Sequence, residues 1–199
     1  MGASRRIGSS PRSEERDAFS PTSTTKPDRM AEKHAKFDPY GILKALDRHR
    51  VNYIVIGAFA RVLQGTEELT RGIDIVPSTR PDNLGRLDAA LEELGARRTD
   101  RRPIDLTEAA IAAEPPIQLI TDHGELKVVP TPTGTRGYDD LRRAANREPL
   151  GQGVRPSVAS IGDLARMASA YDRERYLGQV RQLRRLTALE HTRSRVIER

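Results

Sequence analysis

Val51-Asn52-Tyr53-Ile54-Val55-Ile56-Gly57-Ala58-Phe59-Ala60-Arg61-Val62-Leu63-Gln64-Gly65, followed after five residues by Arg71-Gly72-Ile73-Asp74-Ile75-Val76, decides the fold. Val51 to Ile56 is β-branched and aromatic with hardly a polar interruption, the composition of a strand covered on both faces. Gly57 turns the chain, a short helix follows, and Gly65 closes it. Ile73 to Val76 repeats the strand character around a single carboxylate. A carboxylate taken out of water is costly unless it is paired, hydrogen-bonded or metal-bound, so Asp74 is the first candidate for function. The plain structural alternative is that Gly57, Ala58 and Ala60 are small because helix and strand pack closely, and that Asp74 caps or pairs inside the core.

Working outward, Asp38 reads as the N-cap of a first helix with Pro39 at its first position, running through Ile42, Leu43 and Leu46 to about His49. After the strand pair, Ser78 or Thr79 opens a helix carrying Leu84, Leu87, Ala90, Leu91 and Leu94 at three- and four-residue steps, which stops at Gly95. The stretch from Arg97 to Pro116 has weak periodicity. Ile117 to Thr121 and Glu125 to Val129, joined across Asp122-His123-Gly124, read as a β-hairpin with His123 as a turn residue. A short helix starts at Tyr138, Val154 to Val158 forms an edge strand, and Ser160 with Asp163 opens another helix in the manner of a capping box. A final helix from about Arg173 to Leu189 turns Tyr176, Leu177, Val180, Leu183 and Leu186 inward.

Strand, Gly-Ala-x-Ala, helix, Gly, Thr-Arg-x-Ile-Asp-Ile, in that order, resembles the core of the nucleotidyltransferase superfamily and, within it, the AbiEii-like and MenT-like toxin group of toxin–antitoxin systems. The resemblance spans roughly residues 38 to 190. It implies a mixed α/β (α+β) fold, with a central mixed sheet flanked by helices and a C-terminal helical part. It also implies that Gly57, Ala58 and Ala60 hold the triphosphate of a nucleoside triphosphate, with Arg71, Lys127 and Arg166 as further substrate contacts. Asp74 would bind Mg²⁺ and act as the catalytic residue. Related proteins carry two acids two residues apart, a third acid on the second hairpin strand, and a lysine on a later helix. Here those positions hold Gly72 before Asp74, Lys127, and Ala168 with Arg166 nearby, so the motif is degenerate. Transfer of a nucleotide depends on positioning and on Mg²⁺ neutralising phosphate, so the resemblance implies weak or lost transfer of a nucleoside monophosphate to RNA, with the tRNA 3′ end as acceptor. The alternative is an inactive module that binds RNA, nucleotide or a cognate antitoxin, and a third is an unrelated function in which Asp74 is structural. Restoring Gly72→Asp together with Lys127→Asp is expected to raise Mg²⁺ affinity if the cleft geometry is intact.

The remaining composition sets bounds. A chain of 199 residues suits one domain with tails: an unstructured basic arm over 1–36, a core over 37–150 and a helical segment over 151–199. With no cysteine there is neither a disulfide framework nor a zinc–thiolate site. No apolar run reaches the roughly 18 residues of a membrane span, and a cytoplasmic protein is the expectation. The net charge of +6 is C-terminal, since from Arg136 onward 14 arginines face 8 acids. Arg175, Arg181, Arg184 and Arg185 are the expected RNA contacts, against the alternative of a solvated helix face.

Overall fold

The computed structural model describes residues 36–113 and 116–170, together with 178, 182, 183, 185 and 186. The first helix, α1 (Pro39–Arg48), begins as the sequence predicts: Asp38 is extended and its Oδ1 accepts the Tyr40 amide at 3.0 Å. Ile42, Leu43 and Leu46 are fully buried. Strand β1 (Tyr53–Ile56) leads into α2 (Gly57–Leu63), and β2 (Gly72–Pro77) returns antiparallel to β1, pairing Ile56 with Asp74 and Ile54 with Val76. The two strands that decide the fold are therefore neighbours in one sheet.

Helix α3 (Pro81–Glu93) has Arg80 at its N-cap, not Ser78 or Thr79. The reason is that the Ser78 amide donates to Asn52 O at 2.9 Å, which prolongs the β1–β2 ladder past the expected cap. Buried Asn83 then joins the two elements, accepting from the Asn52 amide at 2.7 Å and donating to Ser78 O at 2.8 Å. The aperiodic stretch contains a two-residue strand, β3 (Arg97–Arg98), and a short helix, α4 (Glu108–Ala113).

The hairpin is β4 (Ile117–Thr121) and β5 (Gly124–Val128). His123 sits at its tip, where its Nδ1 lies 3.2 Å from Asp38 Oδ2 and its carbonyl accepts the Asp38 amide at 2.8 Å. One aspartate thus caps α1 and fastens it to the hairpin. After α5 (Tyr138–Leu141), β6 (Asn146–Arg147) and β7 (Ser157–Val158) complete the sheet. The strand expected over Val154 to Val158 is shorter, and it is not at the edge: β7 runs parallel to β1 and β6 pairs outside it.

In α6 (Ile161–Ala170) the Asp163 amide donates to Ser160 Oγ at 3.1 Å, and the Ser160 hydroxyl lies 2.9 Å from the Asp163 carboxylate. The acid thus meets the serine hydroxyl. Of the expected final helix only isolated positions are described. Leu183 is buried, Leu186 packs against the core and Arg185 is exposed. The basic arm falls outside the described residues but for its last residue, Lys36.

The result is a mixed α+β fold, a seven-stranded sheet of order β3-β4-β5-β2-β1-β7-β6 flanked by helices. Among the described residues no helix is long and apolar enough to cross a membrane. Strand alternation gives the β2–β5–β4 half of the sheet two unlike faces. Ile73, Ile75, Leu126, Val128, Leu119 and Ile117 share one face and are buried with the leucines of α1 and α3. The other face carries the polar residues.

Candidate functional site

Two rows of residues cross this polar face. β2 and β5 run parallel, which sets Asp74 opposite Lys127 and Gly72 opposite Glu125. β4 then places Gln118 beside Lys127 and Ile120 beside Glu125, and the Thr99 amide donates to Gln118 O at 3.0 Å. Above the rows lies a groove of about 360 Å³, lined by Thr70, Arg71, Asp74, Thr99, Glu125 and Lys127 among others. Asp74 and Lys127, both singled out in the sequence, are thus brought together on its floor. Both are half-buried, and neither forms a hydrogen bond or ion pair with another described residue.

Asp74 also closes the groove at the β1 end. Gly57 begins α2 at φ +73°, and an ideal Cβ there would stand 2.8 Å from Asp74 Cγ and closer still to Oδ2. Glycine is needed twice over, for the left-handed backbone and for the carboxylate that occupies the side-chain position. Ala58 is half-buried beside it, whereas Ala60 is fully buried and offers a substrate no surface. Its small side chain suits the close approach of helix to sheet.

Burial pushes the Asp74 carboxyl above the ordinary carboxylate range. Lys127 and then Arg61 oppose that rise without cancelling it, and Glu125 adds to it. A raised carboxylate contributes stability that is present below its ordinary range and lost as pH rises through the raised value. Ionised Asp74 therefore weighs against the fold at neutral pH. Asp74→Asn is expected to raise the melting temperature by a few degrees at pH 7.5, the size of a ~1 kcal/mol change in a chain of this length. The gain should vanish as pH falls to the ordinary carboxylate range, and a lower melting temperature at pH 7.5 would show that the ionised form is stabilised in place.

Arg61 and Glu68 were given no role from sequence. They form a fork with Nε–Oε1 and Nη2–Oε2 both at 2.8 Å, on side chains only 12% and 18% exposed. Thr66 donates to the same carboxylate at 3.1 Å, and the arginine holds Glu68 below the usual carboxylate range. The fork ties the loop after α2 back to the helix. Thr99 and Gln118 were missed as well, although the two-residue register of the hairpin would have placed Gln118 beside Lys127.

One expected contact is otherwise engaged. Arg166 pairs with Asp140 at 2.9 Å and Asp163 at 2.8 Å, a surface network between α5 and α6. Ala168, in place of the lysine, is buried. Arg71 is exposed at the rim of the groove. Arg175, Arg181 and Arg184 lie outside the described residues, and Arg185 is exposed.

Solved nucleotidyltransferases are similar to this chain. The antibiotic-resistance factor ANT(2'')-Ia in solution matches at TM-score 0.49 and 16% identity, over 80% of this chain and 92% of that one. Its complex with adenylyl-2''-tobramycin matches at TM-score 0.46 and 17% identity, over 78% and 95%. A provisionally assigned nucleotidyltransferase from Thermotoga maritima, TM1012, matches at TM-score 0.44 and 19% identity, over 84% and 99%. No family model and no curated protein matches the sequence. At these scores the likeness is loose, and the chemistry of the site has to follow from its own residues.

Those residues do not fit a pair of bridged divalent ions, which needs carboxylates converging from adjacent strands. The backbone of Gly72 lies against Glu125, with an ideal Cβ 2.6 Å from Glu125 Cβ and nearer still to its carbonyl oxygen. Lys127, opposite Asp74 in the ladder, is a cation. Among the described residues no three His, Asp or Glu side chains converge.

Proposed function

We propose that this chain is a nucleotidyltransferase-like module that takes the phosphates of a nucleoside triphosphate into the groove over the Asp74–Lys127 row, beside the Gly57 turn, with transfer chemistry weak or lost. The observation that carries the loss is the contact of Gly72 with the Glu125 backbone, which leaves no room for a carboxylate two residues before Asp74. Asp74 is then the acid in the Lys127 row that could orient an acceptor hydroxyl, with Glu125 in the next row of the same groove. A transferred phosphoryl group needs its developing charge neutralised by well-placed cations, and Asp74 without a second carboxylate two residues before it on β2 holds a divalent ion poorly. Nucleotide binding is supported by the order of elements, by the small residue Gly57 against Asp74, and by Lys127 and Arg71 along the groove.

An RNA acceptor such as a tRNA 3′ end, a toxic action and an antitoxin partner belong to the same proposal. They rest on the resemblance and on the arginine-rich C-terminus.

Binding of a fluorescent ATP analogue and transfer of labelled nucleoside triphosphate onto tRNA test the reading together. The expected result is saturable binding with transfer well below about 1 s⁻¹, a modest rate for an enzyme. Transfer at or above that rate, lost on Asp74→Ala, would show the chemistry to be intact. Absence of nucleotide binding would remove the nucleotide cleft altogether.

A further inference from the structure

Lys127 stands on the floor of the groove directly across the β2–β5 ladder from Asp74, between Asp74 and Gln118 in one row. The residue is half-buried, and its ammonium has no ion-pair partner within 4 Å among the described residues. A lysine placed so, with a compact charge and three donors, is suited to the oxygens of a phosphate. We infer that the cleft binds the phosphates of a nucleotide without a divalent cation, the Lys127 ammonium supplying the positive charge that metal ions held between carboxylates would bring.

The inference rests on the nucleotide-cleft reading and goes beyond it by naming what neutralises the phosphates. Three features of the site carry it. Asp74 has a cation and a hydrocarbon as its neighbours in the row, Lys127 on one side and Ile56 on the other, so a divalent ion at Asp74 would meet repulsion where it needs a second ligand. The strand position that could supply that ligand is Gly72, closed by the Glu125 backbone. Glu125 itself belongs to the next row, opposite Gly72, and is exposed. Around Lys127 the groove offers the Gln118 amide and the Arg71 guanidinium, both able to donate to phosphate or ribose oxygens, while the Thr70 and Thr99 hydroxyls already donate to Gly72 O at 2.8 Å and Gln118 O at 3.4 Å.

The test is calorimetric titration of the full chain with ATP in EDTA and again in Mg²⁺, together with electron paramagnetic resonance of added Mn²⁺ in the absence of nucleotide. Affinity in EDTA should lie within about threefold of that in Mg²⁺. Lys127→Met should weaken the EDTA titration at least about tenfold, the order expected when one member of a desolvated charge contact is removed, while Lys127→Arg should keep most of it. Mn²⁺ should remain free. Affinity that rises tenfold or more with Mg²⁺, or a protein-bound Mn²⁺ signal, would overturn the inference and leave the nucleotide cleft standing. So would an unchanged EDTA titration in Lys127→Met. Failure of ATP to bind in either buffer would overturn the nucleotide reading, and this inference with it.

Discussion

Gly72→Asp is expected to cost the fold about 3 kcal/mol and to create no metal site, although it restores the acid that the resemblance calls for. The obstruction begins at the first side-chain atom. An ideal Cβ on Gly72 would lie 2.6 Å from Glu125 Cβ and 2.8 Å from the Glu125 carbonyl carbon, with the carbonyl oxygen nearer still. Two of these atoms are backbone, and they belong to a parallel ladder that continues through Ile73–Leu126, Asp74–Lys127 and Ile75–Val128. No rotamer change clears them, so β2 and β5 must separate, and forced overpacking of this kind costs about 1–3 kcal/mol or more. A second carboxylate beside the partly desolvated Asp74 adds like-charge repulsion. The melting temperature should fall by roughly 6–12 °C in a chain of this length. Gly72→Ala, which adds the Cβ without the charge, should lose most of the same amount. Gly72→Asp with Lys127→Asp is expected to raise Mg²⁺ affinity only if the cleft geometry is intact, and the crowding at Gly72 works against that condition. A Gly72→Asp protein that melts within about 2 °C of the native chain and binds Mn²⁺ would show that the strands yield more easily than their contacts imply.

The contrast at Gly72 shows which features a sequence carries and which it does not. That an acid is missing can be read at once, because glycine stands where the pattern asks for a carboxylate. That there is no room for one cannot, because the approach of Glu125 is fixed by the register of a parallel pair whose strands are some fifty residues apart in the chain. The β1–β2 pair was legible for the opposite reason: its residues are unbroken β-branched runs, close in sequence, and Asp74 is conspicuous among them. Asp38 was legible as a cap because Pro39 and the apolar spacing of α1 agree with it. Ser78 and Thr79 are good caps by type, yet the chain is still held to Asn52 at Ser78, and the ladder prevails over local preference. The Arg61–Glu68 fork left no trace at all, since a seven-residue separation across Gly65 acquires meaning only when the loop folds back. Lys127 was visible as a departure from the acidic pattern. Its alignment with Asp74, on which the charge balance of the cleft depends, came only from the ladder.

Gly57→Ala should lower stability by about 2–3 kcal/mol and weaken nucleotide binding at least tenfold, from two causes that a double mutant separates. The first is the backbone: Gly57 is at φ +73°, where an L-residue with a side chain costs about 1–2 kcal/mol. The second is contact, since the added methyl would stand 2.8 Å from Asp74 Cγ and 3.1 Å from its Cβ, and the carboxylate must swing out of the groove floor. Asp74→Ala alone removes a carboxylate that burial disfavours, so its own effect on stability should be small or favourable. In the Gly57→Ala/Asp74→Ala protein the contact is gone and the backbone cost remains. The two substitutions should then be coupled by about 1 kcal/mol, well above the few tenths seen between independent sites. Nucleotide binding should not return in the double mutant, because the carboxylate and the turn are both altered. Chemical denaturation of the four proteins measures the coupling directly. Strict additivity would mean that the Asp74 carboxylate does not rest against the Gly57 turn, and a cleft that joins that turn to Lys127 could not be built from these residues.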